Sequence, residues 1–339
     1  MDSAKFTFPA VKGIQASMEY YVTMVPLECL PKLFTFSDEN LSPDARSQRT
    51  LNKARIPDLT NYVLNNPTSY VFSALTASVD GDICFVPSNE CPDMGILSIS
   101  MSSHMLINDG QHRRAAIEAA LKKNPKLKYE HISVVLYHDL GLKRSQQMFA
   151  DLNRFAIRPT QSLNILYDNR DEGSVLLKEV IKSVPEIGKL VDKEHTSIPN
   201  RSIALFTLSA MYRGTNALLD GLNLDKSDCL ELACCYWKAL YNSMPEWKQV
   251  AEGKTKSYII RRDSLSPLSI TLKALGQVGH ELYQADPSNW NSKFVALEGM
   301  DWSKSNPIWQ NGIVVNGSVQ LSRATQKQMI ETLRTKIGG

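Results

Sequence analysis

Asp109-Gly110-Gln111-His112-Arg113 gathers an acid, an amide, an imidazole and a guanidinium into one short turn. An apolar strand signal, Met105 to Ile107, runs into it, and an Ala-rich helix signal, Arg114 to Lys123, leaves it. A strand, a glycine turn and a helix start form a backbone anion site, with outward N–H groups and a dipole that favours negative charge. The plain alternative is a capped helix, with Asp109 as the cap and Arg113 in solvent. Cations in a first turn oppose the helix dipole unless an anion is present, so the turn is expected to handle phosphate. Arg113 would supply a planar fork for a phosphate. His112 would donate a hydrogen bond or move a proton near neutral pH. Asp109 would hold Mg²⁺ through water, or orient His112 or Arg113.

Gln146 to Arg158, QQMFADLNRFAIR, is a second constellation. The spacing of Met148, Phe149 and Leu152 predicts core. Asp151, Asn153, Arg154 and Arg158 either face the first motif or form a solvated helix end. Arg261-Arg262-Asp263 is either a basic contact to DNA or a salt-bridged helix entry. Cys229, Cys234 and Cys235 share one predicted helix but lack Cys-x-x-Cys spacing and a nearby histidine, so no zinc site is expected. His104, His131, His138, His195 and His280 are scattered and make no metal pattern. Gly-x-Ser-x-Gly and the P-loop pattern are both missing from the sequence, which argues against a serine hydrolase and a P-loop enzyme.

These groups need a scaffold, and 339 residues at 43% hydrophobic content suffice for two domains or one large one. The net charge of +3 is too weak to indicate nucleic-acid binding by itself, so a DNA binder would have to segregate its cations. No apolar run reaches the roughly 18 residues of a membrane span. The first ten residues show no secretory pattern. The six cysteines read as reduced thiols of a cytoplasmic protein.

Ile14 to Val25 reads as one extended segment, Asp44 to Ala54 as a helix, and Pro57 as the start of another carrying Leu59, Tyr62, Val63 and Leu64. Tyr70 to Val79 reads as a strand, with Ile83 to Val86 returning beside it across Asp80-Gly81 as a hairpin. Strands are expected at Ile96 to Ser100 and Ile132 to Tyr137, and a helix from Lys143 to about Leu152. Leu163 to Tyr167, Val175 to Val184, Ile203 to Tyr212, Asp228 to Ser243, Leu268 to Tyr283 and Thr325 to Lys336 all fit helical spacing. The expectation is an α/β domain over residues 1–170 and a mostly helical one over 171–339.

The segments FTFPAVKGIQASMEYYVTMVPL, SQRTLNKARIPDLTNYVLNNP, YVFSALTASVDGD, INDGQHRRAAIEAAL, RSQQMFADLNRFAIRP and MDWSKSNPIW occur in this order. Together they closely resemble the DndB family of DNA sulfur-modification proteins, the DGQHR-domain family. The resemblance implies a cytoplasmic DNA-binding negative regulator of the phosphorothioate-modification operon, rather than the sulfur-transferring enzyme. The DGQHR turn also resembles the Gly-x-His-Arg nucleotide-binding turn of the ParB and sulfiredoxin superfamily. That likeness implies a ParB/sulfiredoxin-like α/β domain in which Gly110, His112 and Arg113 contact nucleotide phosphates.

The expected ligands are therefore ATP and Mg²⁺, held by Gly110, Gln111, His112, Arg113 and Asn153, with Asp109 and His112 as catalytic candidates. Double-stranded DNA of the operon promoter would meet Arg154, Arg158, Arg261 and Arg262. Other sulfur-modification proteins and a second copy of the chain are further expected partners. The alternative is an ATP-hydrolysing accessory protein of the modification machinery.

Overall fold

The computed structural model describes residues 4–34, 51–138, 141–154, 159–310 and 312–338, without the side chains of 142, 143 and 145. Chain contacts divide it into two units, Met1–Ile157 and Arg158–Gly339, which puts residues 158–170 with the second.

The first unit opens with strands β1 (Lys5–Gln15) and β2 (Met18–Pro26), which pair antiparallel. The extended reading of Ile14 to Val25 is therefore corrected to a hairpin, and its first strand begins earlier in the chain. The hairpin turns at Ala16 and Ser17, both in the left-handed region at φ 50° and 63°. Such a turn usually carries Gly, Asn or Asp, so its sequence signal is missing here. Pro9 and Gly13 further disguise β1, because both are poor central-strand residues.

After a 3-10 turn (Leu27–Cys29) and α1 (Leu30–Leu33), a second 3-10 turn (Lys53–Arg55) leads into α2 (Ile56–Asn65). The helix expected from Asp44 lies mostly outside the described residues, and 53–55 is the 3-10 turn. Then come β3 (Leu75–Asp80), β4 (Ile83–Pro87), β5 (Met94–Ser100), β6 (His104–Asp109) and α3 (Gln111–Lys123). A 3-10 turn (Pro125–Tyr129), β7 (His131–His138) and α4 (Leu142–Arg154) follow.

Among the described residues, these strands make a seven-stranded sheet in the order β4-β5-β1-β2-β7-β3-β6. β3 runs parallel to β7 and antiparallel to β6, so the sheet is mixed. The expected hairpin across Asp80-Gly81 is not formed. β4 pairs with β5 at the opposite edge of the sheet from β3 and β6. An Asp-Gly pair fixes a turn, whereas the partner of each strand is set by what the whole sheet buries.

Alternate residues of the strands, among them Leu75, Ala77, Val79, Leu97, Ile99, Ile107, Val134 and Leu136, point to one core with Leu30, Val63, Ile117 and Ala120 of the helices. Met148, Phe149 and Leu152 of α4 lie outside that core, contrary to their expected role. Met148 and Phe149 are half-buried and Leu152 is exposed. Helical spacing shows that a face is apolar, without fixing what covers it.

The second unit is mostly helical. It contains α5 (Gln161–Tyr167), α6 (Glu172–Ser183), α7 (Pro185–Gly188), α8 (Leu208–Leu219), α9 (Lys226–Ser243), α10 (Pro245–Ala251), α11 (Ser257–Asp263), α12 (Ser269–Ala285) and α13 (Arg323–Gly338). It also holds 3-10 helices at Trp290–Leu297 and Pro307–Trp309 and two short strand pairs, Val191–Asp192 with Phe206–Thr207 and Val314–Val315 with Ser318–Val319. The expected helix from Ile203 is thus displaced: Thr207 caps α8 by accepting from the Ala210 N–H at 3.2 Å.

The core of this unit is aromatic, with Phe206, Tyr236, Trp237, Trp247, Phe294 and Trp309 fully buried. Two of its indole N–H groups find partners inside it: Trp237 donates to Thr215 Oγ1 at 3.0 Å and Trp247 to Ser266 Oγ at 2.9 Å. α8 and α12 approach at Gly214 and Gly276, where a Cβ on Gly276 would stand 2.2 Å from the Gly214 carbonyl oxygen. Among the described residues, no helix is long and apolar enough to cross a membrane.

Candidate functional site

β6 delivers Asp109 to the sheet end, and Gly110 turns the chain into α3. Gly110 has φ 103°, and a Cβ there would lie 2.4 Å from Leu75 Cδ2. Glycine is required at this position for both conformation and space. The Arg114 N–H already bonds the Gly110 carbonyl at 3.0 Å, so Gly110 is the N-cap of α3. The first N–H groups of a helix have no acceptor within it, and here they belong to Gln111, His112 and Arg113.

The side chains of the turn diverge. Gln111 is buried and donates from Nε2 to the Ile107 carbonyl at 3.2 Å, bracing the turn against β6. Arg113 bends back to Asp109, with NH2 to Oδ2 at 2.5 Å. Its NH1 donates to the carbonyls of Ser73 at 2.6 Å and Ala74 at 2.8 Å, and to Ser73 Oγ. The guanidinium thus ties the 73–74 segment to the turn. His112 Nε2 accepts from the Asn52 N–H at 3.1 Å, so that nitrogen carries no proton in this arrangement.

These residues open onto a cavity of about 550 Å³. Asp109, Gly110, His112 and Arg113 form one wall, and Arg55, Leu59, Tyr62, Val71, Phe72 and Ser73 the others. Tyr62 is fixed there by the Val71 N–H, which donates to its hydroxyl at 2.9 Å, and its ring lies 5.8 Å from that of Phe72. Tyr70 packs 5.7 Å from Phe72 and donates its hydroxyl to Glu130. Burial, then the Glu130 carboxylate, pushes the Tyr70 hydroxyl pKa up. The cavity therefore joins a helix N-terminus, two arginines, an imidazole, a carboxylate and two aromatic rings.

Arg55, Tyr62, Phe72 and Ser73 were not singled out from the sequence, because 37 or more residues separate them from Asp109 to Arg113 except at 73, which lies 36 before Asp109. All four nevertheless fall inside the quoted family-like segments, which was the available signal.

Asn153 and Arg154, in the same unit, do not line this cavity. Asn153 is exposed on α4 and donates to the Phe149 carbonyl at 2.8 Å. Arg154 is exposed at the end of α4, and Arg158 lies outside the described residues. Arg261 donates to Ala204 O at 2.5 Å, Pro199 O at 2.9 Å and Ser257 Oγ at 3.0 Å, which pins the 199–204 segment. Burial lowers its pKa. Arg262 is exposed and forms a two-point pair with Asp263, both bonds at 2.7 Å, and the pair closes the last turn of α11 rather than entering a helix. Among the described residues, no three His, Cys, Asp or Glu side chains converge as a metal site. Asp109 alone offers one carboxylate, which fits Mg²⁺ held mainly by a ligand's phosphates.

Fold and site define a mixed α/β sheet unit bearing a glycine-initiated helix at a polar and aromatic cavity, followed by a helical unit. The chain belongs to the DndB family, described as DNA-sulfur modification-associated, which matches residues 8–339. Neither a curated protein nor a solved structure matches the chain.

Proposed function

We propose that this protein is a cytoplasmic DNA-binding negative regulator of the phosphorothioate-modification operon, with a nucleotide site at the Asp109–Arg113 turn. Membership of the family supports the link to DNA sulfur modification. The observation that carries the nucleotide reading is the left-handed Gly110, which opens the α3 N-terminus onto a cavity holding Arg55, His112, Tyr62 and Phe72. A phosphate suits the helix start and its cations, and a base suits the aromatic wall. ATP with Mg²⁺ is the proposed ligand.

In this reading Gly110, Gln111, His112 and Arg113 offer backbone N–H groups or close backbone approach. Arg113 also positions Asp109, which would hold Mg²⁺ through water. Asn153 and the ParB/sulfiredoxin likeness of the unit remain part of the proposal. Promoter DNA is the proposed macromolecular partner, with Arg154, Arg158, Arg261 and Arg262 as candidate contacts. Other sulfur-modification proteins and a second copy are proposed partners too.

The second reading is an ATP-hydrolysing accessory protein. It is favoured by a carboxylate and an imidazole in the same cavity, since Asp109 and His112 could orient and deprotonate water. Hydrolysis through Nε2 would first require His112 to release the Asn52 N–H.

One experiment tests both readings: purified protein with ATP and Mg²⁺, with and without promoter duplex, followed for phosphate release and gel shift. The regulator reading expects a salt-sensitive shift and phosphate release no greater for wild type than for His112→Ala. Phosphate release lost in His112→Ala, with ATP binding kept, would move the accessory enzyme ahead. A protein that binds neither ATP nor duplex would overturn both.

A further inference from the structure

The chain carries only +3 overall, yet Lys122, Lys123, Lys126 and Lys128 fall within seven consecutive positions. They lie where α3 ends and the 3-10 turn Pro125–Tyr129 begins. The turn is a firm base: Leu127 is buried, and Asn124 Oδ1 accepts from the Lys126 N–H at 3.2 Å. In 3-10 geometry Lys126 and Tyr129, three residues apart, share a face. Tyr129 is 74% exposed, and the Lys128 ammonium sits 4.7 Å from its ring centroid.

The ordinary explanation covers half of this cluster. Lysines at a helix C-terminus complement the dipole, which accounts for Lys122 and Lys123. Lys126 and Lys128 lie beyond the helix. Neutralisation is also incomplete. Glu118 accepts from Lys122 at 3.2 Å but already serves Arg114 at 2.6 Å. Glu130 accepts from the Tyr70 hydroxyl and forms no ion pair with these lysines among the described residues. Among the described residues, neither Lys123 nor Lys126 forms an ion pair. The adjoining 3-10 turn, held by the Leu27 N–H to Glu130 carbonyl bond at 2.9 Å, brings one exposed acid, Glu28.

We propose that Lys122, Lys123, Lys126 and Lys128 form a surface that binds the phosphate backbone of duplex DNA. The proposal rests on the DNA-binding reading above and gives it a location that the arginine candidates do not include. Closely spaced ammonium groups suit a row of phosphates, which they contact as point charges without reading bases. A membrane surface fits less well, because an interfacial helix sets an apolar face beside its cations and Tyr129 is the one large exposed apolar side chain in this stretch. The surface lies about 20 Å from the Gly110 turn, the length of α3, so the two sites can be altered separately.

The test is a salt titration of full-length protein on fluorescein-labelled promoter duplex and on a scrambled duplex. Wild type is compared with Lys123→Gln/Lys126→Gln/Lys128→Gln and with a control, Lys182→Gln/Lys193→Gln/Lys327→Gln. The first triple variant should lose about 2 to 3 from the slope of log K against log[salt], equally on both duplexes. Near physiological salt its affinity should fall about fivefold per lysine, from the same slope. Its thermal midpoint should match wild type, and the control should keep the wild-type slope.

A triple variant with wild-type slope and affinity overturns the surface while leaving the DNA-binding reading intact. An equal loss in the control also overturns it, in favour of general surface charge. A variant that keeps duplex binding but no longer sediments with phosphatidylserine vesicles overturns it in favour of a membrane. Wild type that binds neither duplex at low salt removes the DNA-binding reading itself, and the surface with it.

Discussion

Arg113 reaches back one helical turn to Asp109, NH2 to Oδ2 at 2.5 Å, while its NH1 holds the Ser73 and Ala74 carbonyls. One guanidinium thereby joins the end of β6, the start of α3 and the segment entering β3. The Arg113 side chain is 16% exposed and that of Asp109 48%, so the pair closes one side of the cavity and still presents a carboxylate to it.

Arg113→Lys should destabilise the first unit, because an ammonium cannot serve the carboxylate and two carbonyls in the planar directions that Arg uses. The expected loss is about 2 kcal/mol, from charged hydrogen bonds left unmade. Urea unfolding checks this, and an unchanged midpoint would show that the clasp contributes nothing. Nucleotide affinity should fall in the same variant as the turn loosens.

Gly110→Ala should cost about 3 kcal/mol, combining a left-handed backbone with a methyl pressed on Leu75. The measurement is thermal unfolding followed by near-ultraviolet circular dichroism. Leu75→Ala in the same chain should recover part of the loss if the Leu75 contact matters, although it removes buried area of its own.

In the helical unit, Gly276→Ala places a methyl 2.2 Å from the Gly214 carbonyl oxygen and should force α8 and α12 apart. A loss of about 3 kcal/mol is expected from overpacking. Gly299→Ala, where a Cβ would meet nothing within 4 Å, is the matched control and should leave the midpoint near wild type.

Glu246 gives a pH signature. Burial raises its carboxyl pKa above the ordinary 4.5, against the lowering effect of hydroxyl bonds from Ser266 and Ser264, while nearby Asp301 adds to the rise. A carboxyl with a raised folded pKa holds its proton longer in the native state than in the unfolded one. Its stabilising contribution is therefore complete below about pH 4.5 and declines as pH rises to the folded pKa. The thermal midpoint of Glu246→Gln should gain on wild type across that interval. A constant gap between the two would disprove the assignment.

The local geometry of the turn was legible in the sequence, because a strand, Asp-Gly and a helix are consecutive and short-range rules govern them. So were α6, α9, α12 and α13 of the second half, whose apolar periodicity runs along most of their length, whereas α8 starts at Leu208 and the short α7, α10 and α11 carry too few turns to show a period. Family membership was legible too, since it rests on many separated segments at once.

Tertiary structure decided what pairs and what faces what. It sent β4 to the far edge of the sheet, placed β3 between β6 and β7, and bent Arg113 inward to Asp109, Ser73 and Ala74. It turned Gln111 into the protein and engaged Arg261 with backbone carbonyls. It also brought Arg55, Tyr62 and Phe72 to the glycine turn. The physical reason is that strand partners and side-chain destinations are chosen by burying apolar area and satisfying polar groups over the whole unit. Residue type and spacing state what a side chain can do, and the packed chain fixes which of its possible partners it meets.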